Sequence, residues 1–173
     1  MIARLVQAMA CLAFLAFAAP VASAQGSIGR APELDSSKYD EVIKLYQDAT
    51  KYYQAGNFQL AEKTLDKVLD KEGKFAGAYF LMGMVQIQRQ DFNKARTAFK
   101  SAVKYDGKMA SARGYLGALE AGMGNTKAAQ EQRDELVKLK ECTGKGCPKA
   151  EDVDLEIQRI DENIAAAAAP KAN

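Results

Sequence analysis

The stretch Gln54-Ala55-Gly56-Asn57-Phe58-Gln59-Leu60-Ala61 returns twice, each time 34 residues further along the chain. Its second copy is Gln88-Arg89-Gln90-Asp91-Phe92-Asn93-Lys94-Ala95, and its third is Gly122-Met123-Gly124-Asn125-Thr126-Lys127-Ala128-Ala129. The rungs Gly56/Gln90/Gly124, Asn57/Asp91/Asn125, Phe58/Phe92/Thr126 and Ala61/Ala95/Ala129 stay in register. Self-similarity at a period of this length implies a stack of equivalent units, each burying its apolar face against the next.

Apolar spacing makes the units helical. Helix is expected from Ser36 or Ser37, either of which can cap it, with Asp40 and Glu41 in the first turn. Val42, Leu45, Ala49, Tyr52 and Tyr53 recur at helical intervals. Ala55-Gly56-Asn57 then supplies a turn glycine and a cap for the next helix. That helix carries the stripe Phe58, Ala61, Leu65, Val68 and Leu69 and stops near Glu72-Gly73. In the second unit Phe92, Ala95, Phe99 and Ala102 repeat the stripe. Gly83 and Ala95 are small enough to let two antiparallel helices approach closely, and Ala95→Leu should overpack that seam.

These residues resemble the tetratricopeptide-repeat (TPR) pattern. Tyr79, Met82, Gly83 and Gln86 occupy the positions where that family has Trp, Leu, Gly and Tyr. The usual repeat-ending proline is replaced by Gly73 and Gly107, and both still end a helix. The resemblance implies an all-α, right-handed solenoid of three helix-turn-helix repeats over residues 37–140, at about 42–75, 76–109 and 110–143. The third repeat departs from the pattern, with Arg113, Glu120 and Arg133 where the family has aromatic or apolar side chains. Two accounts stand open: a half-exposed polar end of the stack, or a charged surface for a partner or a second copy.

Beyond Lys140, Pro148 is suited to the first position of a further helix, and Glu151, Asp152 and Asp154 favour its early turns. Val153, Leu155, Ile157, Ile160 and Ile164 give it an apolar stripe. Residues 148–165 are therefore expected to cap the stack, and residues 166–173 to form a disordered, alanine-rich tail.

The N-terminal residues and the cysteine pair carry the expectation of a compartment. Arg4, the apolar run Leu5 to Ala19, Pro20 and Ala22-Ser23-Ala24 read as a signal peptide over residues 1–24, with Gln25 as the mature start. Residues 25–36 form a flexible lead-in. The expected destination is a bacterial periplasm, with no stable membrane span after cleavage. Losing Arg4 leaves 23 basic residues against 22 acidic ones, without the basic excess of a nucleic-acid binder. Cys142 and Cys147, the two mature cysteines, bracket a glycine-rich turn and are expected to form a structural disulfide. With no histidine in the chain, no metal site or other cofactor is expected.

In TPR proteins the first helix of each repeat lines a concave face. The resemblance places Tyr46, Gln47, Thr50 and Tyr53 there, then Phe80, Leu81, Met84, Ile87 and Gln88, then Tyr115 and Ala118. Helical spacing independently puts Tyr46, Thr50 and Tyr53 on one side of their helix, and Phe80, Met84 and Ile87 on one side of theirs. Tyr52 and Tyr79 are expected in the core, and the stripes themselves are also compatible with core packing beneath a folded-back C-terminal helix. The TPR subclass that grips C-terminal carboxylates has Lys and Asn where this chain has Tyr46 and Thr50, which argues against that mode.

There is no phosphate-binding glycine loop or nucleophile motif, so an enzyme is not expected. The reading is a periplasmic adaptor that binds a protein or peptide segment in an aromatic and apolar groove. One alternative is a self-associating subunit of an envelope assembly. Another is a thiol-redox protein using Cys142 and Cys147, although their spacing is not C-x-x-C.

Overall fold

A computed structural model of the protein describes residues 36–169. Among them lie seven helices and no strand: α1 (Ser36–Gln54), α2 (Phe58–Lys71), α3 (Ala76–Gln88), α4 (Phe92–Tyr105), α5 (Ala110–Gly122), α6 (Thr126–Lys140) and α7 (Ala150–Ala168). The leader, most of the lead-in and the last four residues lie outside the described range.

The repeated octapeptide is one backbone device used three times. At each copy the chain enters a left-handed residue, Gly56 at φ 73°, Gln90 at φ 61° and Gly124 at φ 81°. The next amide then reaches back five residues: Asn57 to the Tyr52 carbonyl (2.8 Å), Asp91 to Gln86 (2.9 Å) and Asn125 to Glu120 (2.8 Å). This is the Schellman closure, which satisfies carbonyls that the helix end leaves bare. The expected side-chain cap is made only by Asp91, whose Oδ1 accepts from the Lys94 amide at 3.1 Å. Asn57 and Asn125 hold the cap position without that bond. Asp40 and Glu41 fall one turn later than expected, because α1 has no acid in its first turn.

Consecutive helices pair as α1/α2, α3/α4 and α5/α6, and each pair packs on the next through α2/α3 and α4/α5. Ala61, Leu65 and Val68 of α2 close with Ala78, Leu81 and Val85 of α3 into one core. Ala95, Phe99 and Leu116 form a second beneath Phe80 and Tyr115. Gly83 is required where it stands, since a Cβ there would lie 2.5 Å from the Phe99 ring.

The third pair solves the same problem with a different residue. The position 34 residues after Phe99 is Arg133, which leaves the seam and donates from Nε to Asp161 Oδ1 at 2.6 Å. Ile160 of α7 fills the vacated notch, and its Cδ1 occupies the space that a Cβ on Gly117 would need. One turn away Gly114 receives the Glu156 side chain in the same manner. The two glycines thus let α7 press onto α5, with Leu136, Val153 and Ile160 fully buried between α5, α6 and α7.

Several expectations are corrected here. Tyr52 is 37% exposed and Tyr79 only half-buried, because its ring stacks on Tyr105 at 5.4 Å and its hydroxyl reaches the Gly73 carbonyl at 3.2 Å. Phe92, at the first position of α4, stands clear of the inner stripe and is 47% exposed. In α7, Leu155 faces outward at 62% exposure while Glu156 is buried. That helix starts at Ala150, with Lys149 as cap and Pro148 one residue earlier, and it continues through Ala168 across the alanines assigned to a tail.

The three charged residues of the third repeat each have a partner within the chain, Glu120 in the interior and Arg133 at the partly exposed α6–α7 surface. Glu120 is 1% exposed and accepts from Arg96 Nε at 2.6 Å and Asn125 Nδ2 at 2.8 Å. Arg113 donates to the Gly107 carbonyl and to Gln132. All three charges are engaged within the chain. A disulfide joins Cys142 and Cys147, whose Cα atoms are 5.7 Å apart, in the link between α6 and α7.

Candidate functional site

The residues expected along one groove separate into two groups. Tyr46 is half-buried with its ring edge-on to Phe75 at 4.9 Å, and burial raises its phenol pKa. Thr50 Oγ1 donates to the Tyr46 carbonyl at 2.9 Å, and Tyr53 leans on Phe58 at 5.8 Å. Tyr46 and Tyr53 thus tie α1 to residues beyond it, and Thr50 bonds within α1. Gln47 and Gln88 are exposed. Phe80 and Tyr115 form a triangle with the buried Phe99, with ring centroids 5.6–5.8 Å apart, and Met84 and Ile87 pack against the same core.

From this second group Ile87 and Tyr115 emerge into an open cleft of about 330 Å³. Phe92, Ala118, Leu119, Gly122 and Met123 continue its apolar lining, and Arg159 and Asn163 of α7 close it on one side. Leu60, Val137 and Leu155 are about as exposed or more so, but Phe92 and Met123, at 47% and 38%, share one concavity. Tyr46, Thr50, Tyr53, Phe80 and Met84 do not line it.

Arg159 is positioned on two sides. Its guanidinium carbon sits 4.3 Å above the Tyr115 ring, a cation–π arrangement, and its Nε donates to Glu156 Oε2 at 2.8 Å. Burial works to lower its pKa, but the bond and charge of Glu156, together with Tyr115, outweigh this and raise it. Asn163 donates from Nδ2 to the Arg159 carbonyl at 2.8 Å, leaving its Oδ1 to accept. The C-terminal helix therefore contributes a wall of the cleft and its polar edge.

Phe92, Met123, Arg159 and Asn163 were not among the expected site residues. Phe92 stood in the repeated octapeptide, but its register had placed it inward. Met123 belongs to the third copy of that octapeptide, where the first two copies have Ala55 and Arg89, so the period gives the position no large apolar register. Arg159 and Asn163 lie on a helix outside the 34-residue period, so no register predicts where they face.

A second cleft, of about 460 Å³, lies between α2 and α4 over α3. Glu62, Asp66, Thr97 and Ser101 line it beside Leu69, Met82 and Gln86. Gln86 donates to Glu62 at 2.7 Å, and its buried Oε1 has no partner among the described residues.

No family model matches the chain, and no curated protein matches it. Solved structures do. The type III secretion translocator chaperone SycD of Yersinia enterocolitica, in complex with a peptide of the translocator YopD, is 17% identical. That match covers 74% of this chain and 92% of SycD, with a TM-score of 0.59. The second TPR domain of human RPAP3, in complex with an HSP70 peptide, is 14% identical over 72% of this chain and 98% of that domain, with a TM-score of 0.58. The TPR2B domain of yeast Sti1, in a complex with pHsp70, is 16% identical over 73% of this chain and 98% of its own, with a TM-score of 0.57. The fold is that of a tetratricopeptide-repeat helical solenoid.

Proposed function

We propose that this solenoid is a protein-interaction adaptor of the periplasm, holding an extended or helical segment of another envelope protein in the cleft between α3, α5 and α7. The observation that carries the reading is the joint exposure of Phe92 and Met123 in one apolar concavity. More than half of each side chain is already covered, so burying the remainder against a partner contributes roughly 0.5–1.5 kcal/mol for each. The similar folds solved with peptides support the class of ligand.

The periplasmic element rests on the leader-like residues 1–24 and on a disulfide that an oxidising compartment favours. Recovery of the exported protein with Gln25 as its N-terminus supports it, and retention of residues 1–24 on a cytoplasmic protein overturns it.

Site-specific photocrosslinking from position 92 in intact cells tests the adaptor reading. The expected result is a discrete protein adduct that disappears when Met123→Asp is combined with the crosslinker. An adduct pattern indifferent to Met123→Asp, in a protein that melts normally, rejects the cleft as the binding surface. A second reading, self-association through the third repeat, has less to draw on, since Arg113, Glu120 and Arg133 each have a partner within the chain.

A further inference from the structure

We infer that the segment held in this cleft presents a bulky aliphatic side chain beside a carboxylate, and that Arg159 of α7 reads the carboxylate. The inference rests on the cleft being the binding surface and adds the chemistry of its occupant.

The apolar half of the recognition comes from Ile87, Phe92, Leu119 and Met123, which offer hydrocarbon and one thioether and no hydrogen-bond donor. The charged half comes from one residue. Among the described residues, Arg159 is the only ionic side chain lining the cleft, and no carboxylate lines the wall with it. Glu156, which accepts from Arg159 Nε, is turned into the α5 contact at Gly114. That bond and the Tyr115 ring fix the guanidinium plane while leaving donors on the terminal nitrogens. An arginine held in this way loses little freedom when it forks onto a carboxylate. Asn163, one turn along, keeps Oδ1 for a peptide N–H. A lysine-bearing segment would meet the guanidinium as a like charge, and a wholly apolar one would cover its donors without satisfying them.

Titration of the uniformly 15N-labelled mature chain with N-acetyl-Leu-Glu-amide and N-acetyl-Leu-Gln-amide separates the two halves. Both probes are expected to shift the amides of Ile87, Leu119, Met123 and Asn163. The Glu probe should bind about two- to five-fold tighter, as a partly exposed ion pair allows. The difference should shrink as salt is raised. In the double variant Glu156→Gln/Arg159→Gln, which keeps a hydrogen-bonding pair and strands no buried charge, the preference should vanish while the shared shifts remain. Equal affinity of the two probes for the wild-type chain overturns the carboxylate inference and leaves the cleft intact. Tighter binding of N-acetyl-Leu-Lys-amide overturns it as well. Absence of shifts at these four amides with every probe overturns it too, and the photocrosslinking result then decides the cleft separately.

Discussion

Arg96 reaches across the boundary between the second and third helix pairs to place Nε 2.6 Å from Glu120 Oε1, and the two residues stand 24 apart in the chain. The preceding boundary is bridged at the same separation, where Gln86 Nε2 donates to Glu62 Oε1 at 2.7 Å. Each bridge joins the second helix of one pair to the first helix of the next. The residue in the first helix also lends its backbone carbonyl to the Schellman closure of that helix. A single rung thus ends a helix with its main chain and ties two repeats with its side chain.

Glu120 should make the stack acid-sensitive. Burial works to raise its pKa, but hydrogen bonds from Arg96 and Asn125, then the charges of Arg96 and Lys100, outweigh it and leave the carboxyl lowered. A group depressed in the folded state adds stability above its unfolded pKa of about 4.3, and loses it as pH falls through the folded value. Glu120→Gln should therefore cost about 1–3 kcal/mol at neutral pH, with the deficit against wild type closing below about pH 4. Urea melts of both proteins from pH 7 to pH 3 check this, and a constant deficit contradicts it.

Gln90 occupies the left-handed position that glycine holds in the other two copies, at φ 61°. A side chain there costs roughly 1–2 kcal/mol, part of which glycine returns through the greater freedom of the unfolded chain. Gln90→Gly should raise stability by about 0.5–1 kcal/mol without changing the m-value. Gly56→Gln, introducing the same strain at the first copy, should lower stability by a similar amount.

The Cys142–Cys147 bridge closes a loop short enough that its removal should cost only about 2 kcal/mol on the chain-entropy account. Because α7 also holds on through Val153 and Ile160, the Cys142→Ser/Cys147→Ser protein should stay folded. Hydrogen exchange should quicken first in the 141–149 link and the start of α7. Uniform acceleration over all seven helices would show the bridge to be a global determinant.

The architecture was legible because its causes are local and periodic. Left-handed turns ask for glycine or a tolerant residue, close seams ask for Gly83 and Ala95, and both recur every 34 residues. What periodicity did not carry was the placement of residues whose partners lie outside the period. Arg133 looked like a stray charge because Asp161, its partner, belongs to α7. Phe92 shares a register with Phe58 and both open their helices, but Phe58 leans on the Tyr53 ring at 5.8 Å, where the residue in register beside Phe92 is Ile87. The links Glu62–Gln86 and Arg96–Glu120 were readable in principle, since a donor–acceptor pair repeats at one separation. Donor and acceptor trade helices between the two links, so no residue identity recurs with them at the 34-residue period.

Gly117 and Ile160 supply the decisive test of how α7 is held. The glycine leaves a notch that Ile160 fills, so a methyl group on residue 117 and the end of the isoleucine compete for one space. Gly117→Ala should destabilise by about 1–3 kcal/mol through overpacking, even though alanine is the better helix former. Ile160→Val alone should cost about 0.5–1.5 kcal/mol, the usual loss for one buried methyl group. Combined, the two changes should cost clearly less than their sum, because the shorter side chain vacates the volume that the new methyl takes. Denaturant unfolding of the four proteins in the cycle gives the coupling directly. Strict additivity would mean that α7 shifts as a body when residue 117 gains a side chain. Arg159 would then move with it, and the Tyr115 wall of the cleft would be set by the disulfide link and α6 instead of by the glycine notch.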